Sequence, residues 1–153
     1  MISTIFYHPD AYTTSGPRLM GRNAAGKSFL RGFLEHSKAD EFWVQVEENL
    51  HGRDFLEKVA RAGRKEPVHI LSKSSNNQLS KSGLLFCPGP GISEHAFHRT
   101  ASGKTSAWSI CGITHTTASS YAMDSIVDLI TSPIQPWDAL ICTSLSVKNN
   151  IER

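Results

Sequence analysis

Eight consecutive residues have the types and spacing to cradle a phosphate. Gly21-Arg22-Asn23-Ala24-Ala25-Gly26-Lys27-Ser28 fills every fixed position of the Walker A pattern. In that pattern backbone N–H groups wrap a phosphate and the lysine reaches its outer oxygens. The chemistry demands a context: the loop must leave a buried strand directly and open a helix. The preceding segment, Thr13–Met20, has only Leu19 and Met20 as apolar residues and is interrupted by Gly16-Pro17, so it reads as a loop. A metal-binding carboxylate at the end of a second apolar strand is also required. Leu84–Cys87 runs into Pro88 and Ala139–Cys142 into Thr143, and neither supplies it. The P-loop alternative rests on Gly26, Lys27 and Ser28; the competing reading leaves Lys27 solvated on a first helix. A third use of the segment needs no Walker geometry. A glycine-bearing loop (Gly16, Gly21) lets a phosphate or sugar approach backbone, and Arg18 and Arg22 add bidentate donors for anionic oxygens.

The second candidate is a histidine. Ile110–Thr117 ends an apolar run in a polar turn, which sets His115 between Thr114 and Thr116. A histidine there can donate to a sugar hydroxyl or phosphate, or act as a base. The competing reading is a ring that satisfies strand-end backbone. Gly112 inside the run implies close backbone approach. His8 and Asp10 follow the first apolar run, where turn chemistry around Pro9 explains them equally well. His95 and His98, with Glu94 and Cys87 near in sequence, are too weakly spaced for a metal centre, and no metal is expected. His115, Ser119 and Asp124 lack the Gly-x-Ser-x-Gly elbow of a hydrolase, and Ser119 reads as a helix cap.

These residues need elements to position them. Ile2–Tyr7, Glu41–Val46, Val68–Leu71, Leu84–Cys87, Ala107–Ile113 and Trp137–Cys142 read as strands. Ala24–His36, Asp54–Arg61 and a segment capped by Ser119 or Ser120 and closed by Pro133 carry apolar residues at helical spacing. Ser144 caps one further helix, and Pro88–Lys104 reads as a polar loop. Near-continuous apolar strands alternating with helices predict an α/β fold. The expected architecture is one Rossmann-like domain over 1–153: an open, mostly parallel sheet of about six strands with helices on both faces. Ligands of such sheets bind at the strands' carboxyl ends, which gathers His8–Gly26, Ser72–Asn77, Cys87–Phe97, Thr114–Ser120 and Thr143–Ser144 on one rim.

Composition narrows the partners. The 153 residues are 39% hydrophobic and 20% charged, a soluble globular balance. A net charge of +2 is too small to imply nucleic acid or an anionic membrane. No apolar run approaches the roughly 20 residues of a membrane span, and the start lacks the basic region of a signal peptide. Cys87, Cys111 and Cys142 are odd in number and far apart, so free thiols in a reducing cytoplasm are expected.

Three segments, in this order, resemble one enzyme family. Gly16–Gly26 followed by Phe29-Leu30-Arg31 resembles the Gly-rich loop and first helix of bacterial GT-B glycosyltransferases of the retaining group 1, or family 4, kind. Ile113-Thr114-His115-Thr116 resembles the strand and turn that carry their amino-terminal histidine, and Trp137–Ser144 resembles a later short strand. The resemblance implies the amino-terminal, acceptor-side half of a two-domain enzyme that moves a sugar from a nucleotide-sugar to a sugar or glycan acceptor. His115 would contact the donor sugar or its phosphate, and Gly21 and Arg22 would lie near donor phosphates or acceptor. The nucleotide-sugar would be held by a carboxy-terminal domain that this sequence lacks, with no cofactor bound by this half alone. Little or no transferase activity is then expected of the chain alone, and surface meant for the second domain favours self-association. The alternatives are the P-loop protein and a non-catalytic Rossmann-like binding module.

Overall fold

The computed structural model of the chain describes residues 2–15 and 20–153. Six short strands carry the β-branched and aromatic residues that suit a buried pleated surface. They are β1 (Thr4–Phe6), β2 (Phe42–Gln45), β3 (Val68–Leu71), β4 (Leu84–Phe86), β5 (Ser109–Thr114) and β6 (Ala139–Cys142). All pair in parallel, in the order β3-β2-β1-β4-β5-β6. Parallel neighbours require crossovers, and helices supply them: α1 (Gly21–His36), α2 (Asn49–Arg61), α3 (Asn76–Ser82), α4 (Ser93–Ala101) and α5 (Ser120–Thr131), with α6 (Leu145–Ile151) following β6. The expected open Rossmann-like sheet is therefore present, and it is parallel throughout. No described helix is long and apolar enough to cross a membrane.

Two apolar layers sandwich the sheet. On one face Leu30 and Leu34 of α1 and Phe55 and Val59 of α2 pack with Ile5, Tyr7 and Val44. On the other, Leu79 of α3 and Ala96 of α4 pack with Trp43, Leu85, Trp108 and Ile110. One register row, Ile70–Val44–Ile5–Phe86–Cys111–Ala139, crosses the whole sheet. It is fully buried at Val44 and Ile5 and opens toward both edges.

Four features depart from the sequence reading, the first being that α2 begins at Asn49, five residues before Asp54. α1 begins at Gly21, not Ala24, so Gly21–Ser28 is helix and not loop. α3 fills the crossover between β3 and β4. α4 occupies the stretch read as the polar loop Pro88–Lys104.

α4 is held by charge as well as by the burial of Ala96. The Arg99 and Asp138 side chains are both 0% exposed. Arg99 donates through Nη1 and Nη2 to the two carboxylate oxygens at 2.7 and 2.6 Å, and through Nη1 to the Trp108 carbonyl at 2.8 Å. Asp138 also accepts the backbone N–H groups of Ile110 and Gln135, each at 2.8 Å. A bidentate pair whose carboxylate lone pairs are satisfied is a geometry in which a buried ion pair is tolerated, although the buried Arg99 Nε has no partner among the described residues.

Between β1 and α1 a single 3-10 turn, Pro9–Ala11, is clamped to the helix. Asn23 Nδ2 donates to the Asp10 carbonyl at 2.6 Å, while its Oδ1 accepts the Met20 N–H at 3.1 Å. Gly26 makes the approach possible, because a Cβ there would lie 1.9 Å from the Ala11 carbonyl oxygen.

Asp138→Ala should cost about 3–5 kcal/mol by leaving Arg99 charged and unpaired; a loss below about 1 kcal/mol in urea unfolding would refute that account. Two glycines of α1 provide an internal contrast. Gly26→Ala should destabilise by about 1–3 kcal/mol or more through overpacking. Gly32→Ala, with open space around its Cβ, should stabilise by about 0.5–1 kcal/mol through helix propensity. Equal effects of the two changes in paired melts would exclude this packing argument.

Candidate functional site

Strand order reverses between β1 and β4: the chain leaves β1 toward β2 on one side and returns through α3 to β4 on the other. The two loops diverge there and leave a crevice at the carboxyl ends of the strands, where ligands of open α/β sheets bind. A cleft of about 320 Å³ occupies this point. Its walls come from His8 and Asp10 after β1, Arg22 on α1, Cys87–Gly91 after β4, His95 on α4, Thr114–Thr116 after β5 and Tyr121 on α5. A shallower recess continues from it past Met20, Gly21 and Arg22.

The fold explains each wall. Gly112 of β5 lets the loop after β4 lie on the sheet, since a Cβ there would meet Ile92 at 2.6 Å and the Gly89 carbonyl at 2.8 Å. Ile113 N–H donates to that same carbonyl at 3.2 Å. The loop after β5 closes on itself: Thr114 Oγ1 donates to the Thr116 carbonyl at 3.1 Å, and Thr116 Oγ1 accepts the Ala118 N–H at 3.0 Å. Ser119 caps α5 by accepting the Ala122 N–H at 3.2 Å. The Thr114 hydroxyl is spent inside the loop, while the Thr116 and Ser119 hydroxyls accept from backbone and keep a proton to donate; His115 and these two side chains all line the cleft.

Three histidines differ in environment. His8 accepts the Asp10 N–H on Nδ1 at 3.4 Å, which leaves Nε2 as its donor, and packs edge-on to His51 at 4.6 Å between centroids. His95 meets the Phe6 ring edge-on at 4.8 Å. Burial pushes its pKa down to about 4, helped by the Lys73 charge and opposed by Glu94. Burial likewise lowers the His115 pKa. Both rings are neutral at pH 7, able to donate from one nitrogen and accept at the other. Burial pushes the Cys87 thiol up, so it lines the cleft as a thiol. Arg22 supplies a fixed cation at the mouth. Behind the rim, Lys73 Nζ bridges Glu47 and Glu94 at 2.8 Å each and holds both carboxyls below their usual range.

The sequence candidates therefore divide. Arg22, Thr114, His115 and Thr116 meet in one cleft, and Gly21 borders it. Gly16 and Arg18 lie outside the described residues. Gly26 serves helix packing, and Lys27 and Ser28 face a different groove. Because Gly21–Ser28 is the start of α1, its later N–H groups are committed to helical carbonyls and form no phosphate loop. Among the described residues no three His, Cys, Asp or Glu side chains gather as a metal site. Tyr121 was missed; its only signal was an aromatic residue directly after a helix cap on the ligand rim. No family model, curated protein or solved structure matches the chain.

The depressed histidines carry a sign. A group whose folded pKa lies below its unfolded value stabilises fully above the unfolded pKa, near 6.5 for histidine. That contribution is lost as pH falls toward the folded pKa, about 4 for His95. Stability should therefore decline between pH 6.5 and 4, and His95→Gln should flatten the decline. An unchanged slope in the variant, or a His95 imidazole titrating near 6.5 by NMR, would overturn the assignment.

Proposed function

We propose that this chain is the acceptor-side half of a retaining glycosyltransferase, and that the cleft between β1 and β4 takes a sugar beside an anionic oxygen. The observation that carries the reading is the meeting of neutral His115 with Arg22 across that cleft. These groups match the two halves of a glycosyl phosphate: an imidazole for a ring hydroxyl and a guanidinium for a charged oxygen. Motif resemblance supports the same assignment, since His115 and the start of α1 stand in the segments that resemble the family.

In this reading the chain supplies orientation more than chemistry. The walls of the cleft hold the acceptor hydroxyl against the sugar, converting encounter into a positioned reaction. Charge developing on the departing diphosphate needs cations; among the described residues Arg22 is the one this cleft offers, and the second domain implied by the resemblance supplies the rest. The nucleotide-binding P-loop alternative is disfavoured by the helical conformation of Gly21–Ser28.

Titration with uridine- and guanosine-diphosphate sugars and the matching free monosaccharides, followed by imidazole and amide NMR, tests the proposal. A sugar should perturb His115 and Tyr121 saturably. His115→Ala should weaken binding by roughly tenfold, the worth of one good hydrogen bond in a partly desolvated site. The isolated chain should transfer no sugar. Absence of saturable binding across the panel would favour a non-catalytic module, and shifts confined to the first turns of α1 would revive the P-loop reading.

A further inference from the structure

A second groove, on the opposite side of α1, has no part in the proposed reaction. It has a volume of about 620 Å³ and runs between α1 and α2, a size that suits small-molecule ligands. Its floor is apolar and closed: Tyr12, Leu30 and Leu34 are each no more than 3% exposed. Its rim is basic. Lys27 and Arg31 stand on α1, and Lys58 and Arg61 on α2. Among the described residues Glu35 is the only acidic one lining it.

The two sides of this rim are not equivalent. Lys58 and Arg61 are balanced from within α2 by Asp54 at 3.6 Å and Glu57 at 3.3 Å, and they suit the carboxyl end of a helix. Lys27 and Arg31 have no such account. Among the described residues neither has a carboxylate within ion-pair distance; Lys27 Nζ donates only to Thr14 Oγ1, at 3.1 Å. They are four apart on one helix face, where like charges repel, and they look across at two further cations. An arrangement that costs stability without a ligand gains it with an anion between the helices.

We propose that the groove between α1 and α2 binds a phosphate-bearing ligand, with Lys27 and Arg31 as its main charge partners and the hydroxyls of Thr13, Thr14 and Ser28 available to its oxygens. The lysine and serine that complete the Walker-like string thus serve phosphate through side chains on the flank of a formed helix, not through a backbone loop at its start.

The test is amide NMR of the intact chain at low salt, titrated with inorganic pyrophosphate, and flotation with vesicles of phosphatidylglycerol and phosphatidylcholine. Saturable shifts at Thr13, Thr14, Ser28, Arg31 and Arg61 support the proposal and point to a free phosphate compound. Flotation that requires Lys27 and Arg31, without pyrophosphate binding, supports it with a lipid headgroup as the source. The Lys27→Ala, Arg31→Ala double variant should lose binding by roughly tenfold or more, as expected for two charge-assisted contacts. Its thermal midpoint should hold or rise, because the repulsion is relieved, so lost binding cannot be ascribed to unfolding. The proposal is overturned by no response to either probe, by equal binding of the double variant, or by shifts confined to Arg22 and His115. The last outcome would assign the anion to the sheet-edge cleft and leave the glycosyltransferase reading standing.

Discussion

The carboxylate of Asp138 has no water to fall back on. Sealed with Arg99 between α4 and the start of β6, it must find every hydrogen bond inside the protein. It does so through two guanidinium nitrogens and two backbone N–H groups. The four donors come from α4, from β5 and from the turn before β6. One anion therefore sets the relative positions of three elements. Two of them reach the cleft: α4 brings His95, and β5 ends at Thr114, directly before His115. Hydrophobic burial alone tolerates sliding, because it is roughly proportional to area and indifferent to register. A bidentate ion pair does not, since its desolvation cost is offset only at good geometry.

The cleft exists because backbone comes close in two places where any side chain would forbid it. At Gly26, α1 is drawn against the 3-10 turn that follows β1, and that turn offers His8 and Asp10 at the rim. At Gly112, the Gly89–Ile92 loop settles on β5. The same two contacts narrow the space left at the switch point and give it walls. His95 and His115 sit against those walls, partly out of water, and lose proton affinity for that reason. Neutral imidazoles beside a charged Arg22 divide the cleft into a hydrogen-bonding part and a cationic part.

All six strands were legible in the sequence because parallel strands covered on both faces must be apolar along their length. Their number and chain order then left few topologies. α2 and α5 were legible from apolar periodicity, and Ser119 and Ser144 do cap helices as expected. α4 escaped because its buried face is Ser93, Ala96 and Arg99, and a periodicity argument counts serine and arginine as solvent. α3 escaped because Leu79 is its one large buried apolar side chain. Gly83 and Gly103, just past the two helices, were the readable signals. The early start of α1 was hidden by Gly21 and Asn23, poor helix formers held in place by the tertiary bonds of Asn23. His115 was legible as a rim residue from the polar turn around it. His95 was placed on the same rim within Cys87–Phe97, though read there as part of a loop and not of a helix; Tyr121 was not, because it lies one residue beyond Thr114–Ser120 and reaches the cleft from the first turn of α5.

Burial along the register row explains why the two sides of the cleft differ. Ile5 and Val44, behind His8 and Asp10, lie at the closed centre of the sheet. Moving through Phe86 to Cys111 and Ala139, the row opens on the α1 side, and Ile141 of β6 is 44% exposed. β6 is tied to the site chiefly by polar bonds: its parallel pairing with β5, and Thr143 Oγ1 donating to the Thr114 carbonyl at 3.1 Å. A further bond, from Asn150 on α6 to Thr117 at 3.2 Å, reaches the same loop. The wall that presents His115 is thus anchored to the least buried part of the sheet, and the wall that presents His8 to the most buried part. Local opening costs least where buried apolar contacts are fewest. A ligand that bridges the two walls therefore adds most to the order of the His115 side, the side on which the resemblance to glycosyltransferases puts the sugar.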